Sequence, residues 1–473
     1  MNIVVLVADT FRADYLGCDG NRWIRTPHLD ALAAQGVLFK DFYAEGLPTL
    51  PVRRVFYTGR TVFPFAYHEQ KSDTVQLPGW HPLFEEDVTL AEWLAPRGYT
   101  CGLISDVYHQ FKPGKNFHRG FHSWQWIRGQ ENDPAWPTPR ADLDTSPYER
   151  PELPADAPRR RMISQYLHNR SWWRGEEDHY AAQVMRAAGD WLRQHGHNKP
   201  FLLWVESFDP HEPWDAPKEF VDLYDPGYEG IEPIWPSAFA SDYTPEQLRR
   251  IQAHYAGECT HVDKWCGHVV GTLEELGLLD DTLVVFTSDH GCMMGEQGEI
   301  HKGADRVRIQ VSRCPLIIRH PDRAHAGKVV EGFVQHHDLM PTLLGLAGEE
   351  VPARCDGEDF WPLVTGERSG GLRDTVITAF GAYASVRTAR WNYHTPWMPV
   401  AQGKARPPEL YDREADPEEL HNVIAEHPEV AEELQAVLDR RIEGFAASGA
   451  PTTSTPAAVP GVDWSPRGTI GSK

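Results

Sequence analysis

The chain has no disulfide framework, no membrane-length apolar run and no excess of basic residues. Its 473 residues carry seven cysteines, at 18, 101, 259, 266, 292, 314 and 355. They are odd in number and scattered, which fits reduced thiols rather than pairs. Cys259 and Cys266, with His261 between them, lack CxxC spacing and fall inside a helical pattern, so they read as helix packing rather than a zinc site. No stretch reaches the roughly 18 apolar residues of a spanning helix. The opening "MNIVVLVADTFRADY" lacks the basic region, long apolar run and small-residue cleavage site of an export signal, so the expected location is cytoplasmic, with no membrane partner. Lys and Arg total 46 against 68 Asp and Glu, a formal charge of −22, which argues against a nucleic-acid partner. A small anionic ligand would need a local cationic pocket.

What is present is a pattern of short β-branched runs alternating with amphipathic helices. The runs are "NIVVLVA", "VLFKDFYA", "YTCGLISD", "FLLWVESF" and "TLVVFTS"; the helices lie near "TPHLDALAAQG", from Thr49, over about 176–196 and over about 245–277. This alternation predicts an α/β fold, a large mostly parallel central sheet sandwiched by helices. Short strand-like pieces over 375–423 predict a small C-terminal α+β subdomain. The expected organisation is a catalytic domain over 1–370, the subdomain over 371–446, and a Ser-, Thr- and Pro-rich tail over 447–473 that is mobile or docks on a partner.

Parallel sheets bind ligands at the carboxyl ends of their strands. Three strands end in suitable residues: Asp9, the pair Asp209 and His211, and the pair Asp289 and His290. Asp9, Asp289 and His290 form a mixed oxygen and nitrogen set that suits Mn²⁺, Zn²⁺ or Fe²⁺ more than Ca²⁺. Thr49 follows Pro48 at a helix start, where backbone N–H groups favour an anion; a plain N-cap is the bland alternative. Arg53, four residues on, shares its face and has a planar fork suited to tetrahedral oxygens. Lys302 offers a second positive charge beside His301.

These segments resemble the sulfatase branch of the alkaline phosphatase superfamily, which includes arylsulfatases and phosphonate monoester and phosphodiester hydrolases. The resemblance runs over about residues 1–425, through "VVLVADTFRADYLGCDG", "RTPHLDALAAQGVLF", "PTLPVRRVFYTGR", "TLAEWLAPRGYTCGLISD", "FDPHEPW", "FTSDHGCMMGEQGEIHKG", "HHDLMPTLLGLAG" and "ELYDREADPEELHNV". It implies one divalent metal held by Asp9, Asp289, His290 and Thr49, with Thr49 as nucleophile and Arg53 supporting it. It implies that His211 and Lys302 hold substrate oxygens or protonate the leaving group. By a looser match, Asp106, Tyr108, His109 and His301 are expected to bind substrate.

Two positions depart from the family pattern. Where the family has Cys-x-Pro-Ser-Arg, with the Cys oxidised to formylglycine, this chain has Thr49-Leu50-Pro51-Val52-Arg53; and Thr10 stands where many sulfatases have a second Asp ligand. Oxidising a threonine gives a ketone, so the aldehyde hydrate cannot form. Both changes resemble the nucleotide pyrophosphatase/phosphodiesterase relatives, which use an unmodified Thr. The expectation is a one-metal hydrolase of phosphodiesters or phosphonate monoesters, with Asp209, His211 and His301 as partial candidates for a second metal. The alternatives are a sulfatase acting without formylglycine and an inactive anion-binding homologue. The tail and the Trp-rich stretches "FHSWQWIRGQENDPAW" and "YLHNRSWWRGEED" could form a homo-oligomer interface.

Overall fold

The computed structural model describes residues 1–65, 75, 77–112, 114–136, 143–148, 158–400 and 405–447. The predicted tail beyond residue 447 lies outside them.

The central sheet is built from β1 (Asn2–Ala8), β2 (Val37–Phe39), β3 (Thr100–Ser105), β4 (Ser123–Trp126), β5 (Phe201–Ser207), β6 (Thr282–Thr287), β7 (Leu316–Arg319) and β8 (Lys328–Val330). Their order across the sheet is β8-β2-β7-β6-β1-β5-β3-β4. All neighbours are parallel except β7, which runs antiparallel to both β2 and β6. A two-residue side-chain period sorts β1 between two cores. Val4, Leu6 and Ala8 pack under α1 (Pro27–Ala34), α3 (Tyr180–His195) and α4 (Pro245–Glu275), while Ile3, Val5 and Val7 pack under α2 (Thr49–Thr58) and α5 (Leu339–Ala347). Both faces are therefore covered, and the central strands are apolar along their length. α4 starts with a capping box, Thr244 accepting from the Gln247 N–H at 3.3 Å, which fixes the helix beneath the site.

The predicted run "VLFKDFYA" does not form one strand. It breaks at Lys40 and Asp41, with Lys40 reaching Asp19, and resumes as Phe42–Tyr43 in a separate pair with Val334–Gln335.

A second sheet, antiparallel through Glu409–Asp412, Trp391–Pro396, Tyr383–Arg387 and Val376–Phe380, packs against α6 (Pro428–Ala447). Its last strand, Gly46–Leu47, pairs parallel with Val376–Phe380 and ends two residues before Thr49. The small sheet thus anchors the chain that enters the Thr49 helix. No described helix is long and apolar enough to cross a membrane, and all seven cysteines are free.

Candidate active site

Register places the site. Val7 on β1 pairs with Glu206 on β5 and with Thr287 on β6, so the residues that follow, Asp9 and Asp289, leave adjacent strands at one carboxyl edge. Among the described residues, Asp9, Asp289 and His290 alone bring three His, Cys or carboxylate ligand atoms within 4.8 Å of one another. All three are fully buried. Burial and the neighbouring Asp289 push the Asp9 carboxyl well above its usual range. Burial also opposes ionisation of Asp289, but His290 and Arg53 beside it hold its carboxyl well below that range. Burial brings His290 down to about 3, against the charge of Asp289, so the ring is neutral at neutral pH.

Thr10 orders the two acids. Its backbone N–H donates to Asp289 Oδ1 at 2.9 Å and its hydroxyl to Asp9 Oδ1 at 2.7 Å. It does so at φ 64°, a left-handed conformation that is costly for a β-branched residue.

Arg53 is the hub. Nη2 lies 2.9 Å from Asp9 Oδ2, Nη1 pairs with Asp289 Oδ2, and Nε donates to Glu206 Oε2 at 2.9 Å. Nη1 also donates to the Thr49 carbonyl at 3.2 Å. One guanidinium therefore joins the helix start to both acids. The sequence suggested that Arg53 would grip the oxygens of a bound anion; the structure sets its guanidinium against three carboxylates, with which it forms ion pairs, and the fork holds the acids in place. Glu206, which sequence reasoning missed, also accepts from Tyr57 Oη at 2.9 Å and Trp204 Nε1 at 2.8 Å. A charged residue inside the apolar run "FLLWVES" was the available signal.

Thr49 is the first residue of α2, and Pro48, which has no side-chain acceptor, holds the N-cap position. The bland N-cap alternative is thereby removed. Lys302 lies 3.7 Å from Glu212 Oε2 and has no hydrogen-bond partner at Nζ. Burial disfavours its charge, but Glu212, Asp9 and Asp289 outweigh burial and raise its pKa. His211 stacks on Phe208 at 4.1 Å and donates from Nδ1 to the Glu212 carbonyl at 2.6 Å. Burial takes it down to about 4, which leaves a neutral ring with a lone pair at Nε2.

The substrate-binding expectations divide. Tyr108 donates to Glu131 Oε2 at 2.6 Å, and His109 Nε2 lies 3.1 Å from the same oxygen. With Trp80 against His109 they form one wall beside His211. Asp106 is not part of that wall. It is fully buried and turned inward, accepting from the Phe208 N–H at 2.6 Å; burial and then Asp209 push its carboxyl well up. His301 donates from Nε2 to the Pro236 carbonyl at 2.7 Å and turns Nδ1 to Glu212. Asp209 is spent on Gln130 Nε2 and on the Ala181 N–H at 3.0 Å. The candidates for a second metal are therefore not gathered among the described residues.

The donor set fits a divalent cation. His290 Nε2 is buried without a hydrogen-bond partner, and Asp9 Oδ2 has only its ion pair with Arg53 Nη2 and no hydrogen bond. With Asp9 deprotonated, as a ligand must be, Asp9, Asp289, Glu206 and Glu212 against Arg53 and Lys302 leave two uncompensated negative charges, the amount one divalent ion cancels.

Residues 1–349 match the family model "Sulfatase", and residues 307–447 match "N-sulphoglucosamine sulphohydrolase, C-terminal". The chain belongs to the sulfatase family. It is 27% identical to an arylsulfatase of Clostridium perfringens over 94% of each chain. It is 24% identical to a multifunctional alkaline phosphatase superfamily protein of Trinickia caryophylli over 90% of this chain and 91% of that one. Among solved structures, a phosphonate monoester hydrolase of Agrobacterium radiobacter superposes with a TM-score of 0.70 at 25% identity, covering 94% of this chain and 95% of the other. The sulfatase-family chain is an ester hydrolase, and its family is metal-dependent.

Proposed function

We propose that this chain is a one-metal hydrolase of mono-anionic esters, phosphodiesters or phosphonate monoesters, with the Thr49 hydroxyl as nucleophile. The observation that carries this reading is the Arg53 fork, which ties the start of the Thr49 helix to Asp9 and Asp289. Asp9, Asp289 and His290 would hold the ion, with Mn²⁺, Zn²⁺ or Fe²⁺ favoured by the mixed donors. When bound, the ion supplies the positive charge that lowers the pKa of an adjacent hydroxyl and stabilises charge on the transferring group.

This chain's own residues do the rest. Thr49 Oγ1, its proton already released to water, attacks phosphorus and displaces the alcohol, which takes a proton from Lys302. Water then attacks phosphorus, giving a proton to the lone pair of His211 Nε2, as the bond to Thr49 Oγ1 breaks and returns the alkoxide; the His211 proton passes through water to Lys302 and restores both groups. The phospho-threonine lacks the geminal hydroxyl through which a formylglycine adduct collapses, so water must cleave at phosphorus. With the ion bound, the charges of Asp9, Asp289, Glu206, Glu212, Arg53 and Lys302 balance, and His211 and His290 are neutral, which favours a mono-anion over a dianionic monoester.

A second reading, hydrolysis of sulfate esters without formylglycine, draws support from the arylsulfatase relative that matches over nearly the whole chain. Aryl phosphodiester, phosphonate monoester and sulfate ester substrates, assayed in parallel with and without a chelator, separate the readings. Sulfate turnover without phosphodiester or phosphonate turnover would overturn the first. Inactivity on all three under every divalent ion would make the chain an anion-binding homologue.

A further inference from the structure

Glu212 stands between His211 and Pro213 in the loop after β5 and is largely buried. Its two oxygens face His211, Lys302 and His301. Oε2 is 3.5 Å from His211 Nδ1 and 3.7 Å from Lys302 Nζ, and Oε1 is 3.5 Å from His301 Nδ1.

The arrangement is built from two segments distant in sequence, and each is fixed. His301 stacks on Trp214 with ring centroids 4.9 Å apart and spends Nε2 on the Pro236 carbonyl. Its backbone has φ 68°, a conformation that a non-glycine residue adopts at a cost. His301 Nδ1, Lys302 Nζ and Glu212 Oε2 are each buried without a hydrogen-bond partner. At 3.7 Å the Glu212 carboxylate attracts the Lys302 ammonium, while the two imidazoles flank it at 3.5 Å; the ammonium is held yet keeps its donors open toward a ligand.

We propose that Glu212 is the positioning residue of this arm: it gathers Lys302, His301 and His211 into one array and holds the Lys302 ammonium where it meets the ester. The groups facing Lys302 are Glu212, Asp9, Asp289 and Cys292; those facing Glu212 are His211, Lys302 and His301. Glu212 thus carries the nearest compensating charge that is not also a candidate metal ligand. Its kinetic consequence rests on the ester-hydrolase reading above; its electrostatic consequence does not.

The test uses the full chain loaded with Mn²⁺ for kinetics and with Zn²⁺, which is diamagnetic, for NMR. Glu212→Gln should lower the titration midpoint of the Lys302 side chain, followed by carbon NMR at Cε, by about one pH unit or more. It should weaken binding of inorganic sulfate measured by calorimetry. On aryl phosphodiester it should lower kcat by about ten-fold, with KM changed less than about three-fold, and move the alkaline limb of the kcat profile to lower pH. Glu212→Asp should recover part of each change. If Glu212→Gln does not fold, Glu212→Asp must show a smaller shift of the same sign in the Lys302 titration. An unchanged Lys302 midpoint, or a loss of kcat with an unmoved pH profile, overturns the proposal. If the wild-type protein turns over none of the three esters, the functional reading fails, while the Lys302 titration and sulfate binding still decide the role of Glu212.

Discussion

His290 donates its Nδ1 proton to the carbonyl of Gly291 at 2.9 Å. That bond fixes the tautomer and leaves the Nε2 lone pair facing Asp289 Oδ2 at 3.5 Å, the state a metal ligand requires. Asp9 has the opposite bias, its carboxyl held up by burial and by Asp289. A divalent ion must therefore displace a proton from Asp9 wherever that carboxyl is protonated, and affinity should fall as pH falls. Calorimetric titration of chelator-treated protein with Mn²⁺ or Zn²⁺ at several pH values between about 5 and 8 should show a Kd that rises toward acid. A flat Kd would mean that Asp9 is not a ligand.

Thr49 does not hold the N-cap position, so its loss should be felt in chemistry and not in folding. Thr49→Ala should lower kcat by at least ~10³, because covalent catalysis is removed. The same variant should change unfolding free energy by less than about 1 kcal/mol, the usual worth of a cap that is absent here. Near-native kcat in this variant would place the nucleophile on water.

Arg53 should behave as a structural keystone of the site. It is fully buried against Asp9, Asp289 and Glu206, and breaking such an array strands several charges at once. Arg53→Met should cost about 3–5 kcal/mol of stability in chelator. Added Mn²⁺ should restore part of the loss, because a cation takes over the role of neutralising Asp9 and Asp289. Urea unfolding with and without the ion reads both effects. Equal losses in the two conditions would separate Arg53 from the ion site.

Much of this was legible in the sequence because the relevant signals are local. Apolar runs ending in Asp9, Asp289 and His290 report buried strands whose last side chains reach the carboxyl edge, and register then brings them together. Strand direction is not written in an apolar run, so the antiparallel placement of β7 was not foreseen. Asp106 shows a second limit. It follows the apolar run of β3 as Asp9 follows that of β1, yet it bonds the Phe208 backbone instead of facing the pocket. Which way a side chain turns just beyond a strand depends on the neighbouring loop. Glu206, Glu212 and Glu131 escaped notice because Arg53, His301 with Lys302, and Tyr108 with His109 reach them from other segments, and a carboxylate bound to Arg53 or His301 looks the same in sequence as one bound to solvent.

The junction between the small sheet and the catalytic sheet should be sensitive to pH through Glu45. This residue accepts from the N–H groups of Val62 at 2.9 Å and Phe63 at 3.1 Å and lies 3.7 Å from Arg441 on α6. Burial nevertheless pushes its carboxyl up to about 7, above the value of roughly 4.3 for an unfolded chain. Between those values the folded protein binds more protons than the unfolded one. Stability contributed here is therefore fully present below the unfolded value, declines as pH rises between the two values with a limiting slope of about 1.4 kcal/mol per pH unit, and is lost once pH has passed through about 7. Glu45→Gln removes the titration and keeps one acceptor oxygen. The difference in urea unfolding free energy between variant and wild type should move in favour of the variant as pH rises from about 5 to about 8. A difference that stays constant over that range would show that the Glu45 carboxyl has the same affinity for its proton in the folded and unfolded chain.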